Sequence, residues 1–187
     1  MYIRHIWFSI ITLSVFGLDQ LTKIIVQKTI PLGHAIPVIE PFFQLKHIKN
    51  PGAAFGISIG NRFVFLTISI LAIIVIFIYY LRLSKQHRGS YIALGLIMGG
   101  ALGNLLDRVV YGEVTDFFAF YFGTIRLGDH LISLTYPIFN VADIGVSVGV
   151  SLLVLLMLID EYRLHQTNKE ARVESSMDSS PAHSTGD

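Results

Sequence analysis

The sequence predicts a membrane all-α fold: a bundle of four transmembrane helices with a small extracytoplasmic β-element between the first and second. Three observations lead there. The 187-residue chain is 52% hydrophobic and only 14% charged, against roughly 25% charged in soluble domains. Its apolar residues are gathered into runs, and about 20 helical residues suffice to cross the roughly 30 Å of bilayer hydrocarbon. Between the first two runs, Pro31, Pro37, Pro41 and Pro51 forbid a continuous helix.

The first run, residues 6–18, is uncharged until Asp19, and apolar character resumes around Lys23. Met1-Tyr2-Ile3-Arg4-His5 before it resembles the start of a cleaved leader. No small-x-small cleavage site follows, so a retained first helix is expected. The second helix is expected over 63–81, which holds no charge. The third covers 91–106 and ends at Asp107-Arg108. The fourth covers 144–159 and reaches spanning length if it begins near Pro137. Within the segment 29–61, Phe42-Phe43-Gln44-Leu45-Lys46-His47-Ile48 alternates enough to be a short strand, resting on the membrane surface. The segment 111–136 is aromatic and Gly-containing, and is expected to be a loop at the lipid–water interface. Residues 1–165 form the membrane-embedded domain. Residues 166–187 are polar and are expected to be a disordered cytoplasmic tail.

Lys and Arg in short loops bias orientation. Arg4, then Arg82, Lys85 and Arg88, then Arg163, Lys169 and Arg172 place both termini in the cytoplasm. Lys28, Lys46, Lys49, Arg62 and Arg126 are fewer and weaken that bias without reversing it. The net charge of +1 and the lack of a basic stripe exclude a nucleic-acid partner. With no cysteine there are no disulfides, thiolate metal sites or cysteine nucleophiles.

With that orientation, the unusual polar residues converge on one depth, the extracytoplasmic interface. Asp19 and Lys23 lie toward the outer end of helix 1, and at i, i+4 they can neutralise one another. Asn104, Asp107 and Arg108 share one face at the outer end of helix 3. There Asp107 can belong to a charge network with Arg108, while Asn104 and Arg108 can hold a substrate backbone. Asn140 and Asp143 share a face at the start of helix 4, Asp116 lies in the outer loop and Asn50 in the β-element. Ionisable groups beside a membrane core are costly and are usually kept for function. Paired carboxylates can hydrolyse a peptide bond without a metal. Asp143 could instead cap its helix, Asp116 could be a solvated loop acid, and Asp107 is a rival third carboxylate.

The glycines have a packing role. Gly95, Gly99 and Gly103, with Gly100 beside them, and Gly145 with Gly149 form small-residue ridges that should let helices 3 and 4 approach closely. Gly56-Ile57-Ser58-Ile59-Gly60 spells a nucleophile elbow, but the alternating strands and helices an elbow requires are missing. The seven histidines form no metal-binding pattern, so no metal is expected. A small transporter would need charges at mid-membrane and broken helices. A purely structural membrane protein would be indifferent to loss of Asp116 or Asp143.

Five stretches together resemble the lipoprotein signal peptidases, the type II signal peptidases of bacteria. They are Asp19-Gln20-Leu21-Thr22-Lys23, Asn50-Pro51-Gly52-Ala53-Ala54-Phe55-Gly56, Gly99-Gly100-Ala101-Leu102-Gly103-Asn104-Leu105-Leu106-Asp107-Arg108, Val114-Thr115-Asp116-Phe117 and Phe139-Asn140-Val141-Ala142-Asp143. The resemblance implies an aspartic endopeptidase of the plasma membrane, the inner one where the host has two. It would remove the signal peptide of diacylglyceryl-modified prolipoproteins just before the lipidated cysteine. It implies Asp116 and Asp143 as the catalytic pair, and Asn50, Asn104, Arg108 and Asn140 around the substrate. Asp19, Lys23 and Asp107 become architectural. The expected partners are the lipid-modified precursor and membrane lipids, with no cofactor and a monomeric enzyme. The ionised carboxylate would activate water, while the protonated one would polarise the carbonyl and later donate to the leaving nitrogen.

Overall fold

The computed structural model describes residues 3–52, 62–83 and 88–178. The Gly56–Gly60 pentapeptide and the end of the Asn50–Gly56 stretch lie outside the described residues. Helix α1 (Ile3–Thr29) leads through strands β1 (Ala35–Ile39) and β2 (Phe43–Asn50) to α2 (Arg62–Arg82) and α3 (Arg88–Val110). Strands β3 (Val114–Leu127) and β4 (His130–Thr135) then precede α4 (Val141–Asp178). All four helices are long and apolar enough to cross a membrane. Ile6, Trp7, Leu13 and Leu21 of α1, and Phe63, Leu71, Val75 and Leu81 of α2, are exposed. A surface this apolar belongs against lipid rather than water.

Helix α3 is central and packs against α1, α2 and α4. Its glycines explain how, and they correct the expected pairing. A Cβ at Gly95 would lie 3.1 Å from the Phe8 carbonyl oxygen, and one at Gly99 2.7 Å from that of Thr12. A Cβ at Gly103 would collide with an Asp19 carboxylate oxygen. The Gly95–Gly99–Gly103 ridge therefore faces α1, not α4. The contact between α3 and α4 uses Gly100, whose added Cβ would strike the Ala142 carbonyl, and Gly149, where it would lie 2.7 Å from the Ala93 carbonyl oxygen. Successive helical residues point about 100° apart, so Gly99 and its neighbour Gly100 address two different partners. At the opposite end of α3, buried Tyr91, Leu94 and Met98 pack with Phe8 of α1, flanked by Tyr80 of α2 and Leu153 of α4.

The β-structure is larger than the sequence suggests. The four strands form one antiparallel sheet in the order β1-β2-β3-β4, so half of it comes from the connection between α3 and α4. The segment expected to be an interfacial loop is instead a hairpin. Its run Asp116-Phe117-Phe118-Ala119-Phe120-Tyr121-Phe122 is apolar on both faces, which hides the alternation that marks a strand. Phe117 turns to Val26 of α1 and to Ile30 just beyond its end, while Phe120 stacks on Phe43 and Phe139, with ring centroids 4.8 and 5.8 Å apart. The tail also differs: α4 continues as helix to Asp178, so the part of the 166–187 tail before residue 179 is helical. Residues with good helix propensity, among them Gln166, Lys169, Glu170, Ala171 and Arg172, extend a helix already nucleated in the apolar run.

Candidate active site

The site lies where the C-terminal end of α3, the N-terminal end of α4 and the first residues of β3 meet. Chain order alone would leave Asp116 and Asp143 far apart. Two local devices bring them to one residue, Asn140. Asn140 caps α4: its Oδ1 accepts the Asp143 N–H at 3.0 Å, and the Asp143 carboxylate accepts the Asn140 N–H at 3.1 Å. This reciprocal pair is the capping box that short polar residues make three positions apart at a helix start. Asn140 Nδ2 then donates to Asp116 Oδ1 at 2.7 Å. Both carboxylates therefore take a hydrogen bond from Asn140, one from its side chain and one from its backbone.

Each carboxylate has a second amide donor. Asn50 Nδ2 donates to Asp116 Oδ2 at 2.9 Å, and its own Oδ1 is held by the Gly52 N–H at 3.0 Å. That local turn fixes which way the Asn50 amide points. Asn104 Nδ2 donates to Asp143 Oδ1 at 2.8 Å, while its Oδ1 accepts from Lys23 Nζ at 3.0 Å and Asn140 Nδ2 at 3.1 Å. With two donors on its oxygen, the Asn104 amide can only turn its NH₂ toward Asp143.

Below the pair is a buried charge cluster. Lys23, Asp19 and Asp107 are each no more than 1% exposed. Lys23 Nζ lies 2.8 Å from Asp19 and 3.2 Å from Asp107. Both carboxylates have further donors: Asp19 accepts the Ala142 N–H of α4 at 2.9 Å, and Asp107 accepts the Thr115 N–H of β3 at 2.9 Å. Gln20 Nε2 bridges the two acids at 3.1 and 3.3 Å. One cluster thus ties α1 to the segments that carry Asp143 and Asp116. Asp107 pairs with Lys23, where the sequence suggested a network with its neighbour Arg108. Arg108 turns the other way, donates to the Asn104 carbonyl at 3.2 Å and lines a cleft beside Asp143.

The two acids have different surroundings. Asp116 is 1% exposed. Burial pushes its carboxyl up from 3.8 to about 6, and the charge of Asp143 adds to the rise. The amide bonds from Asn50 and Asn140 and the charge of Lys23 work against it without cancelling it. Asp143 is half-buried and stands where two clefts meet. One, of about 470 Å³, is walled by Phe42, Phe120, Phe122, Tyr136 and Phe139 and floored by Ile144 and Val148. The other, of about 300 Å³, runs between α2, α3 and α4 past Ile68, Ala101, Asn104 and Arg108. Ser147, one turn along α4 from Asp143, lines both. Among the described residues, no three His, Asp or Glu side chains are grouped to hold a metal ion.

All nine residues singled out in the sequence fall in this cluster or on its rim. Sequence reasoning missed Thr115, whose hydroxyl accepts from Gln27 Nε2 at 2.7 Å and Lys49 Nζ at 2.8 Å and whose carbonyl accepts from Asn140 at 3.3 Å. It also missed Gln20, for which adjacency to Asp19 in an apolar helix was the available signal.

Residues 11–159 match the family model described as signal peptidase (SPase) II. The chain is 40% identical over 153 residues to the lipoprotein signal peptidase of Bacillus subtilis, covering 82% of this chain and 94% of that protein. It is 37% identical over 154 residues to the lipoprotein signal peptidase of Brevibacillus brevis, covering 82% and 96%. A bacterial membrane enzyme solved in meso at 2.3 Å superposes with a TM-score of 0.70 at 33% identity, over 82% of this chain and 88% of the other. The four apolar helices, the sheet and the acid pair at their junction thus occur in a chain that belongs to the signal peptidase II family.

Proposed function

We propose that this chain is a membrane aspartic endopeptidase that removes the signal peptide of diacylglyceryl-modified prolipoproteins, cleaving before the lipidated cysteine with Asp116 and Asp143 as its catalytic pair. The observation that carries this reading is the shared Asn140, which donates to Asp116 from its side chain and to Asp143 from its backbone. Two carboxylates held by one residue favour a singly protonated pair over two negative charges as the pH falls toward about 6. Asp116, buried and with its carboxyl raised to about 6, is the proton-bearing member. Asp143 faces the clefts and is the base.

In the reaction, Asp143 takes a proton from water as the oxygen adds to the scissile carbonyl carbon. The Asp116 proton polarises the carbonyl and then passes to the leaving nitrogen as the carbon–nitrogen bond breaks. The pair ends with one proton, the one drawn from water, so it is ready for another turnover. Asn104 and Asn140 hold the carboxylates in place, and Asn50 fixes Asp116. Arg108, on the cleft wall beside Asp143, binds the peptide backbone of the substrate. Asp19, Lys23 and Asp107 are architectural.

Arg82 and Arg88 lie at the opposite helix ends from the sheet, and Arg163, Lys169 and Arg172 lie beyond the apolar part of α4. Their charge supports cytoplasmic termini and a site at the extracytoplasmic face of the bacterial plasma membrane. A monomeric enzyme is part of this proposal. The test is mass spectrometry of a purified lipidated precursor after incubation with the protein in vesicles. A mature product beginning at the lipidated cysteine, absent with Asp116→Asn and with Asp143→Asn, is expected. An intact precursor with the wild type, or the same product from either variant, overturns the proposal.

A further inference from the structure

The distal half of the β3–β4 hairpin has no part in the acid network, yet one of its faces is apolar and bare. Cross-strand partners share a face of a sheet, and successive residues alternate between faces. The pairs Gly123↔Leu134, Ile125↔Ile132 and Leu127↔His130 therefore form one face. Thr124↔Ser133 and Arg126↔Leu131 form the other. The register shift between Tyr121 and Gly123 decides how these faces continue into the sheet. Thr135 pairs with Tyr121, so its neighbour Leu134 projects from the side opposite Tyr121, which is the side of Phe120. The hydrogen bond between the Tyr121 and Thr124 hydroxyls places both on the polar side and agrees with this assignment.

Ile125, Leu127, Ile132 and Leu134 thus extend the face that carries Phe120. They are between 39% and 58% exposed. Phe120 and Tyr136 in turn wall the aromatic cleft whose floor is Ile144 and Val148 of α4. Both of these α4 residues are exposed and lie within a segment apolar enough to span a membrane. The apolar hairpin face is therefore continuous, through the cleft, with the lipid-facing surface of α4. A two-stranded hairpin is marginal in water when one apolar face is left uncovered.

We propose that this face docks onto the bilayer at the boundary between headgroups and acyl chains. Ile125, Leu127, Ile132 and Leu134 dip into the lipid, while Arg126, Thr124 and Ser133 stay on the watery side. Amphipathic elements bind membranes in this way, by buried apolar area with polar groups left outside. β3 carries this anchor at one end and Asp116 near the other, so docking sets the depth of Asp116 relative to a lipid-anchored substrate. The docking does not depend on Asp116 being catalytic; only that consequence rests on the proposed mechanism.

The chain has a single tryptophan, Trp7, so a Trp7→Phe background allows a reporter to be placed at will. The full-length protein would be reconstituted in phosphatidylcholine–phosphatidylglycerol vesicles, with the phosphatidylcholine brominated either high on the acyl chain or near its methyl end. Ile132→Trp should be quenched several-fold by the high bromine and less by the deep one. Leu131→Trp, one residue away on the opposite face, should keep its emission. Ile132→Trp emission that neither lipid quenches overturns the proposal, including the case where it is blue-shifted by a second protein copy. Equal quenching of the two reporters overturns it as well. Both substitutions sit on exposed positions and leave cleavage activity as an independent check of folding.

Discussion

Replacing Asp116 by Asn should abolish cleavage and also change how stability depends on pH. The side chain is almost fully buried, and its carboxyl is raised from 3.8 to about 6, chiefly by that burial. For an acid shifted upward, the folded state keeps a proton that the unfolded chain has already released. The stability due to this proton is complete below pH 3.8 and is lost as the pH rises through about 6. The rise corresponds to about 3 kcal/mol, which the wild type gives up between those limits and the variant does not. Against this, Asp116 accepts from both Asn50 and Asn140. An amide offers one acceptor oxygen where the carboxylate offered two, so one donor is left facing an NH₂ group, at a cost of about 1–3 kcal/mol. The variant should therefore be less stable than wild type near pH 4 and as stable, or slightly more so, near pH 7.5. For a chain of this size the relative melting temperature should move by roughly 6–12 °C across that interval. Thermal unfolding of both proteins in the same detergent, at both pH values, measures it. A variant offset that is the same at both ends would refute a buried, upshifted Asp116.

Three further outcomes follow from the geometry. Asn140→Ala removes the α4 cap, worth about 1 kcal/mol, and the donor shared by the two acids. Cleavage should fall about a hundredfold, the equivalent of about 3 kcal/mol, and the alkaline limb of the pH–rate profile should move upward because Asp116, the proton donor, loses a bond that lowers its pKa; an unchanged profile would count against the shared role. Gly103→Ala pushes a methyl group into the Asp19 carboxylate and should lower the melting temperature more than Gly17→Ala, where nothing lies within 4 Å of the added Cβ. Lys23→Met strands Asp19 and Asp107 as buried carboxylates. Breaking such a pair costs about 3–5 kcal/mol, so the variant should show sharply reduced thermal stability, read by the same unfolding assay.

Much of the site was legible because its chemistry conflicts with its surroundings. Asp19, Lys23, Asp107 and Asp143 interrupt or border apolar runs, where a charge has few reasons to be. Helix existence followed from run length alone. Partners were harder to read. The four-residue spacing of Gly95, Gly99 and Gly103 announces a close contact but does not say with which helix. It is the Thr12 carbonyl and the side chains of Val15 and Asp19 that settle the ridge on α1. Spacing likewise put Asp107 and Arg108 together, although adjacent helical residues point about 100° apart and here serve different neighbours. The hairpin escaped notice because aromatic residues on both faces of β3 erase its period. The continuation of α4 escaped because polarity was taken for disorder, whereas a helix already formed can propagate through polar residues.

The proposed hydrolysis needs Asp116 and Asp143 to act together. It is tested most directly by single-turnover cleavage of a lipidated precursor with excess Asp143→Asn enzyme in vesicles. Asp143 is half-buried at the cleft junction; an Asn there can still accept the Asn140 N–H but leaves the Asn104 amide without its acceptor, at a cost of about 1–3 kcal/mol, so the fold should persist with a lowered melting temperature. The expected rate is at least about a thousandfold below wild type, a loss of about 4 kcal/mol of transition-state stabilisation. A folded Asp143→Asn protein cleaving within about tenfold of wild type would contradict it.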